Sequence, residues 1–235
     1  MKNIKDFLIG KSEEDIKKVM NKLEPIKQLD KMIEYDTKLL SDDELINFLN
    51  NLKPNPNTTK NIIETQIHYA CRYGSAKAVK YFLDKGAKYD DNNYQKVLLT
   101  FRNNQTDIAK VFIEKMKEDG VENKLTIVSN YCLRRACKNG NLILVKELSK
   151  NNVPLEYPYN DPFKYACKSG NVELVKFLLQ DKKINASSGN NAALYNAFND
   201  KSYDIVKLLL QDEKVIEKLK NDTTLEKMIK NVGLL

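Results

Sequence analysis

The sequence predicts an all-α protein, a solenoid of stacked helix pairs joined by short hairpin-like loops and closed at both ends by helical caps. Three observations carry that expectation. An eight-residue motif returns at near-constant intervals through residues 62–212. Apolar residues within and after each copy fall three and four apart, as they do on one helical face. Glycine closes the clearest copies, where it accepts the backbone geometry that ends a helix.

Taken from the N-terminus, Ser12-Glu13-Glu14-Asp15 reads as an N-cap with an acidic first turn, ahead of Ile16, Val19, Met20 and Leu23 on one face. Pro25 starts a second helix containing Ile26, Leu29, Met32 and Ile33. Ser41 caps a third over Asp42 to Leu52, whose stripe is Leu45, Ile46, Phe48 and Leu49, and Pro54 and Pro56 mark its exit. Residues 1–61 are therefore expected to be a helical cap or a small separate module, since the exposed apolar end of a stack must be covered.

The motif follows. Ile67 to Gly74, Leu133 to Gly140 and Phe163 to Gly170 share an apolar, x, x, Ala, Cys, basic, x, Gly pattern. Two degenerate copies complete the series, Val97 to Asn104 with Thr100 in the Ala position and Leu194 to Lys201 with Ala197 there. The anchors Ala70, Thr100, Ala136, Ala166 and Ala197 are separated by 30, 36, 30 and 31 residues. Each copy leads into a second helical pattern, marked by Val79, Val145, Val175 and Val206 in the copies anchored on alanine. Short helices of this kind are marginal alone in water, and stacking neighbours supplies the core that one copy lacks. The longer interval between Ile113 and Tyr131 is expected to lengthen a helix or a loop. Lys214 to Lys220 and Thr224 to Asn231 suggest a final pair over residues 213–235, with Leu225 and Met228 in the apolar and Ala positions of a decayed sixth copy.

This pattern resembles the ankyrin repeat family across residues 62–212, most clearly in Ile67 to Ala87 and Phe163 to Leu179. The family's Thr-Pro-Leu-His opening survives in part, as Ile67-His68 and as Asp161-Pro162-Phe163. The resemblance implies L-shaped repeats that bind through loop tips and a concave helix face, and it implies that His68 hydrogen-bonds adjacent loops. The use of 27 Asn and 35 Lys resembles proteins of giant DNA viruses or AT-rich intracellular microbes, which implies a host partner met in the host cytoplasm.

The residues argue against catalysis. Cys71, Cys137 and Cys167 follow the Ala of equivalent helices, so they are recurring small core residues and, one repeat apart, too distant for a disulfide. Cys132 and Cys137 lack zinc-ligand spacing. His68 is the sole histidine, and Asp42-Asp43-Glu44 and Asp90-Asp91 read as a helix start and a loop tip. Gly74, Gly140 and Gly170 end separate helices and form no phosphate loop. Neither a cofactor nor a metal is expected, no 18-residue apolar run appears, and reduced thiols fit a cytoplasmic monomer.

The expected function is protein-protein interaction as an adaptor or scaffold. Arg72-Tyr73, Arg102-Asn103, Lys138-Asn139 and Lys168-Ser169 end successive first helices and are expected to line one strip. Glu64, Tyr94, Asn130, Asn160 and Asn191 lie three residues before each apolar anchor, where loop side chains would border it. Tyr and Arg suit an interface with an acidic protein surface, so Arg72, Tyr73, Tyr94 and Arg102 are the preferred contacts. The net charge of +7 also admits nonspecific binding to nucleic acid or an anionic membrane. Against it, only four of the 39 basic residues are Arg, and the lysines are interrupted by Asp and Glu.

Overall fold

The structure is a computed structural model of the chain and describes residues 14, 25–34, 40–52, 61–89, 94–121, 125–156 and 161–235. Among these residues every regular element is helical. The chain divides into two compact units, Met1–Val97 and Leu98–Leu235. The first expected helix, with Ile16, Val19, Met20 and Leu23, lies outside the described residues, as do Pro54, Pro56 and Asp90-Asp91.

In the first unit α1 spans Pro25–Glu34, α2 Asp42–Asn50, α3 Ile62–Tyr73 and α4 Ala76–Asp84. Helix α2 starts on a reciprocal cap. The Ser41 hydroxyl accepts the Glu44 N–H at 3.3 Å, and the Glu44 carboxylate accepts the Ser41 N–H at 2.8 Å. Its Leu45 and Leu49 are fully buried against α3 and α4, and the buried Gln66 side chain of α3 donates to the Leu49 carbonyl at 2.9 Å. Helix α3 buries Ile67, Ala70 and Cys71, and α4 answers with Ala78, Val79 and Phe82. Helix α1 packs on α3.

Helix α5 spans Gln95–Arg102, across the boundary between the units. The second unit continues with α6 (Thr106–Glu118), α7 (Leu125–Lys138), α8 (Leu142–Lys150), α9 (Asp161–Lys168) and α10 (Val172–Leu179). It ends with α11 (Ser188–Asn199), α12 (Tyr203–Leu209), α13 (Glu213–Leu219) and α14 (Thr223–Asn231). Two layers result. First helices α7, α9, α11 and α13 pack in succession, and second helices α6, α8, α10 and α12 do likewise, each first helix also touching its own second helix up to α12. The long interval after Ile113 lengthens both helices that flank it, α6 to 13 residues and α7 to 14.

The anchors are what the repeat requires. Ala70, Thr100, Ala136, Ala166 and Ala197 are all fully buried, as are Val79, Val145, Val175 and Val206. Four positions after each anchor the backbone is left-handed, with φ of 89° at Gly74, 57° at Asn104, 65° at Gly140, 78° at Gly170 and 57° at Lys201. The conformation persists where glycine is absent because the turn itself is needed to fold the second helix back on the first. In four copies the next N–H returns to the anchor carbonyl, as from Asn141 to Ala136 at 2.9 Å and from Gln105 to Thr100 at 2.8 Å.

One expectation fails at the C-terminus. Met228 is not in an anchor position: it is 38% exposed, while Leu225 and Ile229, four apart, form the buried face of α14. Helix α13 is the one that stacks on α11.

Asparagine at the start of the second helices joins neighbouring pairs. The Asn171 carbonyl oxygen caps α10 by accepting the Leu174 N–H at 3.0 Å, while its amide donates to the Gly140 carbonyl of the preceding turn at 2.8 Å. Asn141 does the same one repeat earlier, accepting from Leu144 at 3.0 Å and donating to Asn104 and Thr106. Asn171→Ala is expected to lower stability by about 1–2 kcal/mol in urea unfolding. Asn171→Asp keeps the cap and loses the donor, so its midpoint falls between wild type and Asn171→Ala.

Candidate functional site

The residues expected to form one open strip fall into two groups. In the first unit they are already engaged. The Arg72 guanidinium donates to Asp30 of α1 at 2.8 Å, lies 5.6 Å from the centre of the Tyr69 ring, and shares that carboxylate with the Tyr69 hydroxyl, 3.3 and 3.4 Å from its two oxygens. Burial, then the Asp30 charge, raises the Tyr69 phenol above its ordinary pKa, and the Arg72 charge opposes that shift. Tyr73 is only 7% exposed, and its hydroxyl accepts the Leu40 N–H at 2.7 Å and donates to the Leu40 carbonyl at 3.2 Å. The expected exposure of Tyr73 is therefore corrected: the chain entering α2 covers it.

Glu64 and Tyr94 are corrected for a related reason. Glu64 lies in the first turn of α3, not in a loop, and its carboxylate accepts the Lys88 N–H and the Lys96 ammonium, each at 2.9 Å. The Lys96 side chain is 7% exposed, so this pair is a buried lock. Tyr94 is 9% exposed, with a left-handed φ of 62° and its ring 6.5 Å from that of Tyr89. Asn130 sits within α7 and Asn191 at the left-handed entry to α11. Asn191 is buried and donates to the Val215 carbonyl at 2.9 Å, and among the described residues the buried Oδ1 atoms of both asparagines have no hydrogen-bond partner. Asn160 lies outside the described residues. The position three residues before the apolar residue thus serves a helix start or an internal contact at Glu64, Tyr94 and Asn191, while Asn130 lies in mid-helix.

In the second unit Arg102, Asn103, Lys138, Asn139 and Lys168 are exposed. Asn139 also donates to the Phe101 carbonyl at 3.2 Å. Arg102, Lys138 and Lys168 occupy one repeat position, two residues past the anchor, at the ends of α5, α7 and α9.

A cleft of about 160 Å³ opens beside them, lined by Tyr131, Arg134, Arg135, Lys138 and Tyr165. Arg135 Nε donates to the Tyr131 hydroxyl at 3.2 Å with its guanidinium 5.3 Å from that ring, and Arg134 lies 5.4 Å from the Tyr165 ring with Nη2 3.5 Å from its hydroxyl. Four of these residues were not singled out from the sequence. The available signal was helical spacing: Tyr131 to Arg135 and Arg134 to Lys138 are each four apart, and Arg135 and Tyr165 share one position in consecutive copies. Two of the chain's four arginines meet here.

The nucleophilic and metal-binding residue types are placed differently. Cys71, Cys132, Cys137 and Cys167 are buried, and burial pushes the thiols of Cys132, Cys137 and Cys167 well up, away from the reactive thiolate. His68 is exposed on α3, its ring edge-on to Tyr69 at 5.7 Å. Among the described residues no group of three or more His, Cys, Asp or Glu could hold a metal ion, and no helix is long and apolar enough to cross a membrane.

Stacked helix pairs, a left-handed turn inside each pair and small anchors buried between pairs define a helical-repeat protein. A family model described as Ankyrin repeats (3 copies) matches residues 133–222, and one described as Ankyrin repeat matches residues 64–91. The chain belongs to the ankyrin-repeat family. The matches contain four of the five anchors, leaving out the copy centred on Thr100. No curated protein matches the chain.

Glu64→Ala removes a carboxylate from a buried ammonium and is expected to cost about 2 kcal/mol in chemical denaturation. Arg102→Ala, at an exposed site, is expected to stay within about 0.5 kcal/mol of wild type.

Proposed function

We propose that the chain is a non-catalytic docking protein, an adaptor or scaffold, that receives a protein partner with an acidic surface along the ends of successive first helices. One observation carries this reading: Arg102, Lys138 and Lys168 repeat at one exposed position that packing does not use. None of the three has a carboxylate partner among the described residues. Aligned like charges attract an acidic partner and accelerate its encounter. The ankyrin-repeat fold generally mediates protein-protein contacts, which supports the same reading. Arg102, Asn103, Lys138, Asn139 and Lys168 are the contacts proposed; Arg72, Tyr73, Tyr94, Glu64 and Asn191 are assigned to the fold.

A cytoplasmic monomer is part of the proposal, supported by buried thiols, and a host-cell partner rests on the Asn- and Lys-rich composition. The net charge of +7 supports a second reading, nonspecific attraction to nucleic acid or anionic membrane. The two separate in one experiment. Affinity capture from a cell lysate with the full chain and with Arg102→Glu/Lys168→Glu is run beside filter binding to oligonucleotides and sedimentation with anionic vesicles at physiological salt. The docking reading predicts protein partners lost in the double variant, with an unchanged circular dichroism melt and little retention of oligonucleotide or vesicle. Tight retention of either anionic polymer or vesicle contradicts it.

A further inference from the structure

The cleft of Tyr131, Arg134, Arg135, Lys138 and Tyr165 offers donors and little else. Each phenol oxygen accepts from a guanidinium, at 3.2 Å for Tyr131 and 3.5 Å for Tyr165, which leaves each phenol proton to be donated outward. Each guanidinium uses one N–H in this way and keeps the rest of its fork, and the Lys138 ammonium adds three donors. No carboxylate pairs with Arg134, Arg135 or Lys138 among the described residues, so three positive charges face a space of about 160 Å³. Both guanidinium groups lie over aromatic rings and reach those rings' hydroxyls, which restrains them before any ligand arrives.

The first unit shows what such a position takes. Tyr69 stands one residue before the anchor Ala70, as Arg135 and Tyr165 stand before Ala136 and Ala166. Arg72 stands two residues after its anchor, as Lys138 does. There the tyrosine and the cation hold a carboxylate, that of Asp30, delivered by a helix: Arg72 Nη1 at 2.8 Å and the Tyr69 hydroxyl at 3.3 Å. In the second unit Tyr165 and Lys138 stand at those two repeat positions, in successive copies, with Arg134 and Arg135 beside them and no carboxylate among the residues that line the cleft.

We infer that this cleft is an anchor for the carboxylate of an Asp or Glu side chain on an acidic segment of a partner protein. The inference rests on the docking reading above and adds its point of attachment. A carboxylate meets the available fork by paired N–H donation, accepts the phenol protons with its remaining lone pairs, and fits with its short aliphatic stem in the volume present. An Asp-rich segment also satisfies the surplus charge, because the exposed Lys168 follows in the next copy.

The test is fluorescence anisotropy with the full chain and three labelled probes: an Asp-rich dodecapeptide, its Asn counterpart, and a single-stranded oligonucleotide of equal length. Wild type is expected to bind the Asp peptide and not the Asn peptide, and Arg134→Gln/Arg135→Gln is expected to weaken that binding about tenfold or more. Lys138→Gln, at an exposed residue, weakens it several-fold and carries the test if the double variant loses its circular dichroism melt. Asp-peptide binding unchanged in these variants, or absent from wild type, overturns the anchor. Oligonucleotide binding that is tighter than the peptide's and is lost in the same variants overturns it in favour of a nucleic-acid ligand. Failure here with partner capture still dependent on Arg102 and Lys168 removes the anchor and leaves the docking proposal standing.

Discussion

No helix pair of this chain can bury its own apolar face, and the rest of the structure follows from the need to press that face against a neighbour. The anchor position sets how close neighbours come. A side chain no larger than alanine or threonine stands there in all five copies, with no exposed surface in any of them. Larger residues at the valine position and along the second helices fill the space that remains. Close approach in turn demands a tight reversal between the two helices, which the left-handed residue four positions on supplies even when it is Asn104 or Lys201. A left-handed non-glycine residue costs about 1–2 kcal/mol, so its retention reflects how firmly stacking specifies the turn. Asn141 and Asn171 add a polar counterpart, each capping its own helix while holding the turn before it.

Function is then a matter of which positions packing leaves over. In the first unit it leaves few. Asp30, Leu40 and Lys96 occupy Arg72, Tyr73 and Glu64, so side chains of interface-like type are spent on internal contacts. In the second unit the corresponding cations remain at the surface, and a cleft with two stacked arginines is added. The same residue types therefore read as fold in one unit and as docking surface in the other, and only their partners tell them apart.

Much of the helical plan was legible because it depends on local chemistry. The Ser41 to Glu44 cap, the Ala-Cys steps, the glycines after them and the final helix pair are set by residues within a few positions of one another. Burial of tyrosine was not legible. Tyr73 and Tyr94 have the type and position of contact residues; Leu40, which covers Tyr73, is 33 residues away, and nothing in the local pattern marks Tyr94 as buried. Met228 was misplaced because it stands three residues after Leu225, the spacing of the other anchors, and a helical face admits spacings of three and four alike; Ile229, four after Leu225, takes the core instead. The arginine cleft was hidden for another reason: Arg134 and Arg135 fill two of the three variable positions of the motif, and their significance appears only when Tyr165 of the following copy is brought beside them.

The dependence on stacked anchors is tested most directly by native-state hydrogen exchange on Ala166→Leu, which enlarges one anchor between α7 and α11. If the pairs stabilise one another as described, amides of α7, α9 and α11 lose protection together, although only α9 is altered. Faster exchange confined to α9, with α7 and α11 unchanged, would contradict the account.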